Sequence, residues 1–386
     1  MSPPDQIKGD IPIYPTVRTR ICWVTWQPTP YHSYFFKHLA QEPTVDCLVN
    51  FIKDVISSHP WKSLELEGYS SRFCELRMGV DWRLIWRALA EKDTFFVVVG
   101  WNQKTFLLLL CSLRLLHRHY AMWTDTPKLS TERPILLGWA RARFLRWIFS
   151  GAVAVMGTGT CATTALSKMG APMDRLVNLP TFPDLDALKR LEGKECGRGH
   201  VVRLISAGYI VNARKGHDVA LRALGRVAGM GIGIPFEYAI AGTGPDLDNL
   251  RQLARDLGLE KNVKFLGWLE ADGVRALYRE ACLLIHPSPV HDPYPNAVLD
   301  GMAAGLAVFI SDACGQAQND RVADGVNGFI HRAGDTDQLA EQLTRALRNP
   351  RLLLEVGRKA RETAEQWPVE RGVNIIKELA SSCAAS

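Results

Sequence analysis

One pattern limits this chain more than any other: a short, wholly apolar run, then a loop rich in glycine or proline, then a segment long enough for a helix. Leu283–Ile285 and, after its opening threonine, Thr94–Val99 (TFFVVV) are such runs, and Val202–Ala207 (VRLISA), which carries Arg203 and Ser206, starts a fresh series of the same units. An apolar run without polar alternation suits a strand buried on both faces. Such strands belong to parallel sheets covered by helices. The units form two series, 19–182 and 200–367. Between them lies Pro180–His200, with a charged, glycine-bearing tail, KRLEGKECGRGH. Its 386 residues suit two domains. The expected fold class is therefore α/β, with two doubly wound, Rossmann-like domains facing each other across a cleft. Ligands of such sheets bind at the carboxyl ends of the strands, and often between domains.

Apolar residues at 47% and charged residues at 22% suit a globular enzyme. The first twenty residues contain Pro3, Pro4, Pro12 and Pro15 and no apolar core, so no signal peptide is expected. The apolar segment Phe106–Leu116 is interrupted by Ser112 and Arg114 and is too short to span a bilayer. Nine cysteines without framework or metal-ligand spacing suggest reduced thiols and a cytoplasmic setting. A net charge of +6 favours an anionic ligand or membrane surface without singling out nucleic acid. Ile135–Phe149 places Arg141, Arg143 and Arg146 among large apolar side chains. It suits an anionic membrane surface, although a core-facing helix with a solvated basic side is the plainer reading.

The richest stretch is Leu283–Asp312, LLIHPSPVHDPYPNAVLDGMAAGLAVFISD, read as strand, stiff proline-rich loop, helix and strand. Asp292 lies in the loop and Asp300 in the first turns of the helix. Between them, Asn296, Ala297 and Val298 are expected to offer helix-start amides to an anion. Two carboxylates flanking such a cradle fit a ligand that runs hydroxyl, phosphate, hydroxyl. The plain alternative is a helix-favouring Asp300 and a solvated Asp292. Elsewhere, Lys215 follows the loop Gly208–Arg214, and Gly242 opens a Gly-Thr-Gly-Pro turn. His32 starts a helix, and Asp125 sits at a strand tip. Asp184/Asp186, Asp246/Asp248 and Asp335/Asp337 have DxD spacing but sit at helix starts, so they read as caps rather than metal ligands.

From Val202 onward the ordered segments ISAGYIVNARKGHDVALRAL, AGTGPDLDNLRQLARDLGLEKNVKFLGW, LYREACLLIHPS, HDPYPNAVLDGMAAGLAVFISD and DGVNGF resemble retaining glycosyltransferases of family 4. The resemblance implies the glycosyltransferase-B architecture, a nucleotide-sugar donor, no metal and no cofactor. It also implies a last helix, within 368–386, that crosses back to the first domain. The family's paired-glutamate motif falls on Asp292, against donor-sugar hydroxyls, and on Asp300, against the ribose. Its diphosphate-binding lysine falls on Lys215. The usual arginine six residues earlier is Tyr209, so Arg214 is expected to supply that charge.

Tyr294 and Pro295 join the helix-start cradle, and backbone near Trp268 is expected to meet the base, with Gly242 on the donor side. The first half resembles the family only in layout. Asp125 stands near the strand tip where many members carry a catalytic His, and His32 and Trp101 are assigned to the acceptor side. The implied reaction is retaining transfer of a sugar to a glycan or lipid-linked acceptor in surface-polysaccharide assembly. It would proceed in the cytoplasm, with peripheral association with the inner membrane. A non-catalytic nucleotide-sugar-binding or scaffold subunit and a nucleotide-sugar epimerase remain alternatives.

Overall fold

The computed structural model describes residues 18–53, 66–127, 134–189, 196, 201–231, 233–315 and 321–384. The leader before Arg18 and most of the charged tail of Pro180–His200 lie outside them. The first domain holds strands β1 (Thr19–Thr25), β2 (Val45–Phe51), β3 (Ser70–Phe73), β4 (Thr94–Val99), β5 (Tyr120–Thr124), β6 (Ala154–Gly157) and β7 (Leu176–Asn178). Its helices are α1 (Pro30–Gln41), α2 (Trp82–Ala90), α3 (Lys104–Leu115), α4 (Ile135–Phe149) and α5 (Gly159–Lys168).

The second domain holds β8 (Val202–Ala207), β9 (Phe236–Ala241), β10 (Val263–Gly267), β11 (Leu283–His286), β12 (Ala307–Ser311) and β13 (Phe329–His331). Its helices are α6 (Asn212–Lys215), α7 (His217–Gly229), α8 (Leu247–Asp256), α9 (Ala271–Glu280), α10 (Asn296–Ala303), α11 (Thr336–Arg348) and α12 (Pro350–Glu365), before a last helix, α13 (Val369–Ala384).

Both sheets are parallel throughout, in the orders β3-β2-β1-β4-β5-β6-β7 and β10-β9-β8-β11-β12-β13. The expected doubly wound α/β class is therefore the observed one. The strand order reverses between β1 and β4 and again between β8 and β11, and ligand crevices form at such reversals. Burial explains the apolar runs: Phe95–Val98 and Leu283–Ile285 are covered on both faces. α2, α3 and α4 cover one face of the first sheet through Leu84, Leu109, Leu113 and Ile148. α1 and α13 cover the other, where Phe35 and Phe36 meet Val369, Val373 and Ile376. Lys377 pairs with Glu42 at 2.8 Å on that side.

β3 and α2 have no counterpart in the sequence reading. The edge strand is the polar SSRF, with an intermediate-to-exposed pattern, so it carries no apolar run to read. On α4 the core-facing side and the exposed Arg143 and Arg146 are those of the plainer reading, with one addition. Leu145, Ile148 and Phe149 face the core, but Leu136 and Trp139 are 81% and 61% exposed, so its solvent side is apolar as well as basic.

Candidate active site

Glycine at position 216 sets the geometry. It has φ +67°, and a Cβ there would stand 2.1 Å from the Pro287 carbonyl oxygen. That close approach presses the α6–α7 junction onto the loop after β11 and delivers Lys215 to Asp292. Lys215 Nζ donates to Asp292 Oδ2 at 2.5 Å. His286 Nε2 lies 2.9 Å from the same oxygen. Ser288 Oγ donates to the Arg214 carbonyl at 2.7 Å and stands 3.3 Å from that carboxylate. Two backbone bonds pin the loop itself: Asp292 N to Ala313 O at 3.1 Å and Gly315 N to Asp292 O at 2.9 Å. Burial alone would push the Asp292 carboxyl up. The His286 hydrogen bond and the His286 and Lys215 charges outweigh it and hold Asp292 well below the usual carboxylate range. Burial, chiefly, lowers His286.

Asp300 has the opposite character. It lies on the buried side of α10, is 9% exposed, and accepts a hydrogen bond from Tyr31 Oη of α1 at 2.7 Å. Burial pushes its carboxyl up to about 7, against the pull of the Tyr31 hydrogen bond and the Arg275 charge. A second link between domains runs from Thr181 Oγ1 to Asn296 Oδ1 at 2.7 Å.

These groups line one cavity of about 460 Å³ between the two domains. Lys215, Arg214, Gly242, Trp268, Asp292, Tyr294, Pro295, Asn296, Ala297 and Asp300 line it from the second domain, and Asp125 and Tyr31 from the first. Gly242, at φ +147°, lets the β9 turn close on the β8 turn, because a Cβ would fall 1.9 Å from Gly208 O.

Three expected site residues are not brought there, and two expected amide donors fail. Val298 is fully buried in the core, and its amide donates to Pro295 O at 3.0 Å, so it is no free donor. Pro295 has no N–H at all, which leaves Asn296 and Ala297 as the amides that open the helix. Trp101 packs edge-on against Phe149 at 5.9 Å, drawn into the apolar core under α4. His32 packs against Trp123 at 5.2 Å in a separate small hollow, and burial lowers its pKa.

Of the DxD pairs, Asp335 caps Gln338 N at 2.9 Å and Asp184 accepts from Ala187 N at 3.0 Å. Asp246 instead accepts from Asn212 N at 2.7 Å, so it braces the α6 loop rather than capping its own helix. Among the described residues no group of three or more His, Cys, Asp or Glu could hold a metal ion. The sequence reading missed Tyr31, His286 and Arg275. His286 had a usable signal, a polar residue closing an apolar strand six residues before Asp292. Tyr31 and Arg275 had none, because their partners are remote in the chain.

Comparison with known proteins fits this geometry. Residues 203–363 match the family described as glycosyl transferases group 1. The chain is 31% identical over 145 residues to an exopolysaccharide phosphotransferase of Streptomyces coelicolor, covering 37% of this chain and 15% of that protein. It is 28% identical over 160 residues to the lipopolysaccharide core biosynthesis glycosyltransferase LpsE of Rhizobium meliloti, covering 42% of this chain and 44% of the relative. The chain thus spans less than half the length of these two curated relatives. In fold it is similar to HepE of Anabaena, solved in complex with UDP, with a TM-score of 0.74 at 18% identity, covering 94% of this chain and 100% of that one. The molecule therefore has the glycosyltransferase-B architecture, and the domain that carries Lys215, Asp292 and Asp300 is a glycosyl transferases group 1 domain.

Proposed function

We propose that this chain is a retaining, metal-independent glycosyltransferase. It would move a sugar from a nucleoside-diphosphate-sugar to a glycan or lipid-linked acceptor in surface-polysaccharide assembly. One observation carries the reading: the Lys215–Asp292 pair, Asp300 and the opening of α10 line the same interdomain cavity as Asp125. HepE has been solved with UDP and with UDP-glucose, which supports a nucleotide-sugar as donor. The curated relatives named for lipopolysaccharide core and exopolysaccharide support the setting. We place the reaction in the cytoplasm, beside the membrane.

The difficult step breaks the bond between the anomeric carbon and a diphosphate oxygen, leaving negative charge on the nucleoside diphosphate. Lys215, Arg214 and the Asn296 and Ala297 amides stabilise that charge from fixed positions. Asp292, ionised at neutral pH, accepts from sugar hydroxyls, and Asp300 accepts from the ribose. The acceptor hydroxyl attacks on the face from which the diphosphate leaves. Its proton passes to the departing phosphate oxygen, and Asp125 orients it.

The test is donor hydrolysis and transfer by the purified chain. Removing one such charge-stabilising donor typically costs about 3 kcal/mol of barrier, so Lys215→Ala should lower turnover at least about a hundredfold with folding intact. Turnover near wild type removes Lys215 from the mechanism. Tight donor binding with neither hydrolysis nor transfer points to the non-catalytic subunit, whereas a changed sugar without any acceptor points to the epimerase.

A further inference from the structure

α4, ILLGWARARFLRWIF, contains no acidic residue, and its inward side is already occupied by the core. Leu136, Trp139, Ala140 and Arg143 recur at helical spacing on the outward side. Leu136, Leu137 and Trp139 are 81%, 63% and 61% exposed. The Arg143 guanidinium lies 6.0 Å over the Trp139 ring, and Arg114 of α3 lies 5.8 Å over Trp147. α2 shows the same character. Trp82, Trp86 and Leu89, at spacings of four and three, are 52%, 70% and 43% exposed. α3 packs against both helices, so the two apolar faces belong to one helical layer.

Single exposed apolar side chains are ordinary, but two helices presenting tryptophan and leucine outward are not. In a parallel sheet the covering helices run against the strands, so their amino ends lie at the strands' carboxyl ends. Leu136 and Leu137 therefore sit at the end of the domain where β5 leads into Asp125 and the cavity.

We propose that this layer docks on a lipid bilayer carrying anionic headgroups. The leucines and tryptophans of α4 and α2 enter the interfacial zone, and Arg143 and Arg146 meet lipid phosphates. Leucine and tryptophan beside arginine, with no acidic residue on α4, match an interface that is apolar below and negative above. Docked in this way, the mouth of the cavity stands beside the membrane. The proposal does not depend on turnover, so its failure would leave the transferase reading intact.

The test is sedimentation of the full chain with phosphatidylcholine vesicles and with vesicles of equal phosphatidylcholine and phosphatidylglycerol. The chain should bind the anionic vesicles far better, and high salt should release it. The double variant Arg143→Glu/Arg146→Glu should bind at least about thirtyfold more weakly, and Leu136→Glu/Trp139→Glu should not bind. Melting temperatures near wild type would show that these solvent-facing changes leave the fold intact. Equal binding to both vesicle types, or variants that bind like wild type, would overturn the proposal. So would a chain that is dimeric in solution and that Leu136→Glu/Trp139→Glu splits, because a second copy would then cover this face.

Discussion

A single carboxyl should make the ligand-free protein less stable as the pH rises. Asp300 is buried on α10, its carboxylate accepts a hydrogen bond from Tyr31, and burial pushes it up to about 7. In the unfolded chain it titrates near the usual value of about 3.9. Below that value both states are protonated and no penalty exists. As the pH climbs, the unfolded chain releases its proton first, and stability falls until the folded group has also ionised. The gap between about 7 and about 3.9 corresponds to on the order of 4 kcal/mol.

Asp300→Asn stays neutral throughout, so comparing it with wild type isolates this group. Near pH 4 the two should be of similar stability. At about pH 8 the variant should be the more stable one, by up to roughly 4 kcal/mol, or about 5 °C in melting temperature if the chain unfolds in one step. The assay is thermal unfolding of both proteins, without ligand, across that range. A difference that stays constant, or that grows toward acid, would refute the burial argument. The same proton turns one Asp300 oxygen into a donor and weakens the carboxyl as an acceptor for the ribose, so donor affinity should rise over the window in which stability falls.

Other expectations follow from single contacts. Tyr31→Phe removes the hydrogen bond that pulls Asp300 down, so the stability transition should move to higher pH, read in the same series. Gly216→Ala places a Cβ 2.1 Å from Pro287 O at a positive φ, so it should cost more than about 2 kcal/mol and separate Lys215 from Asp292. Its denaturation midpoint and donor affinity should fall together, and a stable variant with normal affinity would contradict the close approach described above.

What the sequence determined by itself was the succession of elements. Thr94–Val99, Ile135–Phe149 and Val202–Ala207 match the observed β4, α4 and β8 end for end, because apolar patterning acts within a few residues. The identity of Asp292, Asp300 and Lys215 as cavity residues was also legible, through their place at strand tips and helix starts. SSRF was not, because an edge strand has no buried run to announce it.

The tertiary structure alone decided which atoms those residues meet. Lys215 reaches Asp292 across 77 positions, and Tyr31 reaches Asp300 across 269. It also decided that the Val298 amide closes onto Pro295, and that Trp101 and His32 pack against Phe149 and Trp123 rather than line the cavity. Periodicity records only whether a residue faces inward. Which partner waits there, and whether water is excluded with it, depends on how two separately wound sheets come together. That docking leaves one aspartate held ionised by its neighbours and the other pressed toward neutrality by burial.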